Sequence, residues 1–439
     1  MAVTAAGFYF FVKSPIHQIY LPTATGITAK QVCSLHFISG FTHDRARELY
    51  IDPLLGGAEG LISSKVEGNE VRSGILGILY NQRAVYREGI GCSLVHDGAR
   101  FDASLTLPHD KPFEPLTADT VHRDNYFDPE VLNSAIENAF SEPPGSGRNT
   151  LAVVVLHRGR LVAERYAEGV TPATPLHGWS MAKSLTATLA GAMIERGEIT
   201  LDRQAILDEK ALTEDPEKSK ITLKHLLQMR AGLNLDEENA GFDPNSRMMF
   251  TKADMAAWAA RQPLVQEPGE VWDYMSGNSV LAMRAIQNVL PGSVSDHIAA
   301  VRERVFKPLR MHTAILETDQ AGTLQGGSYL YAAAHDWARL AQLYLDNGMA
   351  GDTRILPEGW IELVSNQPEN GRQTNRYYGL GFWLGHSGID GKAFYMSGIQ
   401  GQAIYILPDH DLLVVRLGAT NHTGAGTFDL VADVVNAMR

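Results

Sequence analysis

Ser180 and Lys183 lie three residues apart in the stretch LHGWSMAKSLT. On a helix such positions share one face, so the two side chains can touch. A serine hydroxyl needs an adjacent base to become a good nucleophile, and burial disfavours the charged form of a lysine so that it can accept the proton. The same spacing also fits an N-cap serine next to an ordinary lysine, so the pair alone leaves catalysis and plain helix structure open.

Tyr274 begins a second polar stretch, YMSGN at 274–278, which follows the turn residues of EPGEVWD. We expect this stretch on a loop, where catalytic groups are common. A tyrosine next to a cationic lysine can have a lowered phenol pKa and act as general base or acid. Ser276 and Asn278 are expected to hydrogen-bond a substrate carbonyl or to hold Lys183. The alternative is an aromatic side chain packed in a polar loop.

A third stretch, MSGIQGQ at 396–402, precedes the last pair of predicted strands. Its two glycines in four residues indicate a close approach of the backbone to a ligand. An edge strand at this point would offer an N–H to a developing oxyanion. The candidates for contact with the substrate here are Gly398, Gln400 and Gln402.

In this order the three motifs resemble the serine β-lactamase and penicillin-binding-protein superfamily, whose signature includes S-x-x-K. A second motif that begins with tyrosine is similar to the class C-like branch. Within that branch the pattern looks most like the 6-aminohexanoate-dimer hydrolases and related carboxylesterases. The stretches LKHLLQMRAGL, GGSYLYAAAHDWARL and ILPEGW also match, and the resemblance covers roughly residues 130 to 439.

The resemblance implies Ser180 as nucleophile, Lys183 as its partner and Tyr274 as general base and acid. It places the oxyanion hole at the backbone N–H groups of Ser180 and Ile399, and it puts Ser276 where the lactamases often have asparagine. The expected activity is hydrolysis of small carboxylic esters or amides through an acyl-enzyme on Ser180, with no metal and no other cofactor.

The third motif departs from the family pattern. The family has K-T-G or H-T-G, whereas this chain has Met396-Ser397-Gly398 and therefore lacks the cation that grips the carboxylate of a β-lactam or peptide. Arg230 or Arg247 could substitute for it. Two alternatives stay open beside the esterase or amidase: a true β-lactamase or D,D-peptidase, and a non-catalytic binding or assembly module on the same fold.

The order of predicted elements is strands, many helices, strands and a final helix. A hairpin is predicted at 151–169, a helix from Ser180, further strands at 392–398 and 402–418, and a helix at 428–439. This order predicts an α+β fold of the β-lactamase/transpeptidase-like kind, with an antiparallel sheet flanked by helices and a mainly helical subdomain at 200–330. The hydrolase domain is predicted at 126–439. Residues 1–125 form an additional N-terminal region that packs on this body or lines its entrance.

The amino-acid composition limits the kinds of partner that the protein can bind. The formal charge of −12 and the pI of about 5.7 argue against nucleic acid as a partner. The resemblance implies a small ester or amide as the partner, and the oligomeric state stays open. Loops at 234–250 and 370–388 are expected to line the pocket.

The first hundred residues leave two questions open. Cys33 and Cys92 could form one bridge or be two separate thiols. The apolar stretch from Ala2 to Val12 is either a buried strand or the trimmed end of a membrane anchor, and membrane association is expected only through it. A periplasmic or membrane-tethered location is favoured over the cytoplasm.

Overall fold

The N-terminal region pairs one long helix with a small sheet. The structure is a computed structural model that describes residues 13–96, 101–109, 111–204, 214–368, 377–385, 388–421 and 427–439. A π-helical turn at Ile16–Tyr20 leads into helix α1 (Leu21–Phe37), and helix α2 is short (His43–Ala46). An antiparallel sheet follows with the order β1 (Ile62–Glu67), β2 (Glu70–Ile75), β3 (Leu79–Arg87) and β4 (Gly91–Leu94).

Helix α1 is buried on almost every side. Its buried residues run from Thr23 to Leu35 with only Ile27 partly exposed. The disulfide between Cys33 and Cys92 joins α1 to β4. Closing a loop of 59 residues restricts the unfolded chain, which corresponds to about 4 kcal/mol in the chain-entropy model. Ala2 to Val12 lies outside the described residues, and within the described residues no helix is both long and apolar enough to span a bilayer.

The rest of the chain is a body of helices around short and long strands. In chain order its elements are α3 (Thr120–Tyr126), α4 (Pro129–Phe140), β5 (Thr150–His157), β6 (Arg160–Tyr166), β7 (Leu176–His177), α5 (Ala182–Glu195), α6 (Leu223–Leu227), α7 (Pro244–Thr251), α8 (Met255–Ala260), α9 (Ser276–Gln287), α10 (Val294–Val301), β8 (Ile315–Leu316), β9 (Leu330–Ala332), α11 (Ala334–Leu345), β10 (Met349–Ala350), β11 (Thr353–Arg354), α12 (Trp360–Ser365), β12 (Trp383–Leu384), β13 (Phe394–Gly398), β14 (Gln402–Leu407), β15 (Leu412–Gly418) and α13 (Thr427–Asn436).

The central sheet has six antiparallel strands in the order β12-β13-β14-β15-β5-β6. The late strand β15 pairs with the early strand β5, so Val414 lies opposite Val155. This pairing joins the predicted hairpin to the predicted C-terminal strands, and the α+β architecture expected from the sequence is confirmed. The predicted boundary between residues 125 and 126 stays a prediction.

Both faces of the central sheet are covered by helices because its inner strands are apolar throughout. Alternate residues of β5 point in opposite directions. Val154 packs in the core with α5 and α11, whereas Val153 and Val155 pack with α4 and α13. A strand buried on both faces reads as a continuous apolar run, as LAVVVL does. This sheet fixes one wall of the site described below.

The N-terminal region is held on the body by buried polar contacts. Lys30 of α1 forms an ion pair with Glu317, and both side chains are almost fully buried. Glu317 also accepts a hydrogen bond from the hydroxyl of Ser34, and Tyr331 donates to Gln31 over 2.9 Å. Burial lowers the pKa of Lys30 and raises the pKa of Glu317. Because a buried charge needs a partner, these contacts fix where α1 lies on the body.

Candidate active site

Ser180 lies in a tight turn just before helix α5. The turn at Trp179–Met181 is 3₁₀-helical and α5 begins at Ala182, so the helix starts two residues later than the sequence pattern predicts. Trp179 has a φ of 48°, a conformation that costs a non-glycine residue of order 1 kcal/mol. A Cβ on the preceding Gly178 would lie 2.2 Å from the Trp337 ring. The sharp turn therefore leaves Ser180 partly exposed above a buried helix.

Lys183 is held by three oxygen atoms. Its Nζ lies 3.0 Å from Ser180 Oγ, 2.8 Å from Ser276 Oγ and 3.0 Å from the Gly327 carbonyl oxygen. The lysine is buried, with 2% of its surface exposed. Burial lowers the pKa of Lys183, and the negative charge of Glu237 opposes that shift without cancelling it. A lysine in this environment can be a neutral amine near neutral pH.

The three contacts of Lys183 are compatible with a neutral amine that accepts from serine. The Gly327 carbonyl can only accept, so it takes one N–H of the lysine. Ser276 can accept the second N–H, which leaves the nitrogen lone pair for the proton of Ser180. A neutral Lys183 bonded in this way has its lone pair left for the Ser180 hydroxyl.

Tyr274 lies on a loop, as predicted, with its hydroxyl close enough to Ser180 for the serine to affect its pKa. The Lys183 Nζ lies 4.8 Å from the centre of its ring. The expectation of a lowered phenol pKa is wrong. Burial raises the pKa of Tyr274 well above its usual value, Tyr378 and Glu237 add to this, and the effect of Ser180 only partly offsets it. Tyr274 is therefore a protonated phenol at neutral pH.

Ser276 is the first residue of α9, with its hydroxyl on Lys183. Its backbone N–H donates to Glu237 Oε2 over 2.5 Å, so a carboxylate lies at the positive end of this helix. Sequence reasoning missed Glu237, because one glutamate in the acidic loop NLDEENAG carries no signal of its own. Asn278 is fully buried, and its Nδ2 lies 3.7 Å from Met229 Sδ. Its predicted contact with substrate or Lys183 stays a prediction.

Gly398 ends strand β13 against the serine turn. A Cβ at this position would lie 2.3 Å from the Gly178 carbonyl oxygen and 3.0 Å from Trp179 Cβ. Only glycine therefore allows this contact with the backbone of the serine turn. The predicted contact of Gly398 with a ligand stays a prediction. The next residue, Ile399, lines the same pocket as Ser180. The oxyanion hole formed by the N–H groups of Ser180 and Ile399 stays a prediction.

Gln400 and Gln402 have their carboxamides engaged inside the protein. Gln400 accepts from Trp179 Nε1 over 3.0 Å and donates to the Tyr50 carbonyl over 3.0 Å. Gln402 accepts from the Gly418 N–H and donates to three backbone carbonyls. These bonds hold the loop after β13 in place. The predicted contact of both side chains with substrate stays a prediction.

Ser180 opens onto a pocket, called here the Ser180 pocket. Its lining includes Trp179, Ser180, Glu237, Met249, Phe250 and Ile399 from the body. The N-terminal region contributes Tyr20, Thr23, Ala24, Ile27, Leu54 and Leu55. The loop predicted at 234–250 does line the pocket. Of the loop predicted at 370–388, residues 377–385 and 388 are described and are not among the lining residues, and the others lie outside the described residues.

No cation lines the Ser180 pocket within the part of the chain that the structure describes, where Glu237 is the one charged lining residue. Met396 stands where the family has lysine or histidine, and it is fully buried in the core. Arg230 is also buried, and Arg247 is exposed on α7. Neither arginine is among the described lining residues, so the pocket offers no evident grip for a carboxylate.

The chain is similar to a known protein family and to characterised proteins. Residues 136–435 match the β-lactamase family model. The chain is 24% identical over 326 residues to the 6-aminohexanoate-dimer hydrolase of Paenarthrobacter ureafaciens, which covers 66% of this chain and 79% of that protein. It is 26% identical over 301 residues to penicillin-binding protein 4 of Amycolatopsis lactamdurans, which covers 58% and 75%.

Solved structures show the same fold. A protein of Bacillus anthracis assigned as a 6-aminohexanoate-dimer hydrolase superposes with a TM-score of 0.57 at 21% identity, covering 75% of this chain and 87% of that one. A protein of Bacteroides dorei assigned as a β-lactamase gives a TM-score of 0.55 at 18% identity, covering 71% and 99%. The family match contains Ser180, Lys183 and Tyr274, and it leaves helix α1 outside.

Proposed function

This chain belongs to the β-lactamase family of hydrolases, and we propose that it cleaves small uncharged carboxylic esters or amides through an acyl-enzyme on Ser180. The resemblance inferred from the three motifs is confirmed by the family match and by the relatives. The observation that carries the proposal is the 3.0 Å contact between the buried amine of Lys183 and Ser180 Oγ. It supplies the base that a serine nucleophile requires.

In the acylation step Lys183 takes the proton of Ser180 as Oγ forms a bond with the substrate carbonyl carbon. The negative charge moves to the carbonyl oxygen, where the N–H groups of Ser180 and Ile399 would stabilise it. Collapse of this intermediate breaks the bond to the alcohol or amine. Tyr274, as a protonated phenol close to Ser180, gives its proton to the leaving group and regains one from Lys183.

In the deacylation step water attacks the acyl-enzyme along the same route. Lys183 accepts a proton from water, the bond between the acyl carbon and Oγ breaks, and Ser180 recovers its proton. The carboxylic acid product leaves, and the enzyme returns to its starting state. Lys183 Nζ lies 3.0 Å from Ser180 Oγ, within reach of the proton that it takes from the serine and returns to it.

β-Lactamase or D,D-peptidase activity is the second candidate, and the pocket charge disfavours it. Penicillins and peptide C-termini carry a carboxylate, and Glu237 would repel it. We propose that such substrates turn over slowly. A non-catalytic role is the third candidate, and the assembled Ser180, Lys183 and Tyr274 cluster argues against it.

The test is a substrate panel run beside Ser180→Ala. We expect nitrophenol release from short-chain p-nitrophenyl esters, with an initial burst where deacylation is slow, and weak turnover of nitrocefin. Linear amides and lactones in the same panel separate amidase from esterase activity. Nitrocefin turnover well above that of every ester would overturn the proposed substrate class.

We also propose that the protein works in an oxidising compartment outside the cytoplasm. The buried Cys33–Cys92 disulfide supports this, since such bonds persist where thiols are not kept reduced. Thiol alkylation of the protein taken directly from its cells should label neither cysteine without prior reduction. Quantitative labelling of both cysteines in that experiment would contradict the proposal.

A further inference from the structure

Helix α1 forms one wall of the Ser180 pocket, although it lies outside the residues that match the family model. We propose that α1 and the turn at Leu54–Leu55 determine which substrates fit, and that they select an uncharged substrate by the length of its apolar part. This inference rests on the proposed function, because it assigns a specificity wall to the same nucleophile. It adds a role for a region that the family match does not cover.

The wall and the nucleophile line the same pocket. Thr23, Ala24 and Ile27 lie on one side of α1, as their spacing of three and four residues requires, and Tyr20, at the end of the π-helical turn before α1, lines the same pocket. The Tyr20 hydroxyl donates to the Leu55 carbonyl over 2.7 Å, which ties the turn to the helix. The lining of the same pocket includes Ser180 and Ile399. A substrate bound at Ser180 therefore meets α1.

The wall is fixed rather than loosely placed. A Cβ on Gly26 would lie 2.3 Å from the Phe250 carbonyl oxygen, so α1 packs on the end of α7 as closely as a helix can. One turn later Lys30 is paired with Glu317 inside the protein. At the other end the Tyr20 ring stacks on Phe242 with centroids 4.9 Å apart. These contacts hold the helix at a set distance from Ser180.

The side chains of the wall indicate which substrates the pocket binds. Ala24, Ile27, Leu54 and Leu55 are apolar, and so are Met249 and Phe250, which line the same pocket from α7. Each methylene buried on such a surface improves binding by about fourfold. A substrate whose apolar part is too long for the pocket loses this binding free energy, and displacing packed protein atoms costs more. Substrate preference should therefore rise with the length of the apolar part and then fall.

Thr23 adds a hydroxyl group to this apolar wall. Its Oγ1 is buried and has no hydrogen-bond partner among the described residues, and the same holds for Asn245 Oδ1, which belongs to another lining residue of the pocket. Buried polar atoms of this kind are normally satisfied by a partner. We expect the hydrogen-bonding group of an uncharged substrate, such as an amide N–H, to use them.

The first experiment measures kcat/KM for p-nitrophenyl esters from acetate to octanoate. Ala24→Leu should lower the value for the longest accepted ester at least tenfold and change acetate by less than about threefold. Leu54→Ala should shift the preferred length upward. Leu61→Ala is the matched control, since Leu61 is an exposed leucine of the same region and is not among the described lining residues. Unchanged length profiles in both Ala24→Leu and Leu54→Ala would overturn the inference.

The second experiment does not need turnover. Binding of linear alkyl amides, from butanamide to octanamide, is measured by calorimetry for the unmodified protein and for Thr23→Val. We expect Thr23→Val to weaken amide binding at least threefold. The control Thr28→Val should not, because the Thr28 hydroxyl donates to the Ala24 carbonyl within the helix. If no ester is hydrolysed but amide length still follows these variants, the proposed function fails and the wall stands. If esters are hydrolysed and neither variant alters ester or amide preference, the wall fails alone.

Discussion

Trp179 Nε1 donates a 3.0 Å hydrogen bond to Gln400 Oε1, and this bond joins the serine turn to the loop after β13. The two residues neighbour Ser180 and Ile399, whose N–H groups are expected to form the oxyanion hole. Gln400 has a φ of 58°, so the loop adopts a strained shape that needs support. The bond therefore connects the two halves of the predicted hole.

Disrupting this bond should lower kcat rather than raise KM. We expect Gln400→Leu and Trp179→Phe each to lower kcat for all accepted esters by about tenfold or more, since a misplaced oxyanion donor costs transition-state stabilisation. A double-mutant cycle on kcat should show that the two losses are not additive. A KM effect confined to particular substrates would instead favour direct contact of Gln400 with substrate.

The pH dependence of kcat/KM should report the neutral form of Lys183. Because burial lowers the pKa of Lys183, activity should rise with pH through a value below the usual lysine pKa of about 10.4. Burial raises the pKa of Tyr274, so no falling limb from the phenol is expected below about pH 10. Lys183→Ala should lower kcat/KM by at least about a hundredfold and remove the rising limb.

The Tyr274→Phe variant tests whether Tyr274 acts as the general acid while Lys183 acts as the general base. We expect a loss of about a hundredfold in kcat for substrates with poor leaving groups, with the rising limb kept. Nitrophenyl esters, whose leaving group needs little protonation, should be less affected. Loss of the rising limb in Tyr274→Phe would assign the base to the tyrosine and contradict the role proposed for Lys183.

Ser276→Ala should lower the activity, because it removes one hydrogen-bond acceptor of Lys183. The lysine then has only Ser180 and Gly327 as oxygen partners, so we expect kcat to fall by about tenfold and the rising limb of the pH profile to move. Ser279→Ala on the same buried helix is the control. Equal effects of the two variants would reduce Ser276 to a helix-packing residue.

The buried pair of Lys30 and Glu317 should matter far more for stability than an exposed pair. Lys30→Met leaves an unpaired buried carboxylate, which costs about 3–5 kcal/mol of unfolding free energy. Lys65→Met disrupts the exposed Lys65–Glu67 pair and should leave the unfolding free energy nearly unchanged, because solvent screens an exposed pair. Urea denaturation of both variants measures the difference. Equal costs would contradict the docking of α1 through this pair.

Secondary structure is predicted best from the sequence where a run of residues fits one structural environment. LAVVVL is a strand because only a sheet buried on both faces requires that run, and it is β5. Helix α1 escapes prediction because it is buried all round and therefore lacks an amphipathic stripe. The motifs identify Ser180, Lys183 and Tyr274, but the direction of the Tyr274 pKa shift depends on burial by distant residues. Glu237 and the α1 wall depend on tertiary contacts in the same way.

The most direct test of the account is covalent labelling of the nucleophile. A fluorophosphonate probe should add once to the protein, and peptide mass spectrometry should place the adduct on Ser180. Ser180→Ala should show neither the adduct nor ester turnover, while keeping the thermal stability of the unmodified protein. Full turnover or undiminished labelling in folded Ser180→Ala would contradict the account.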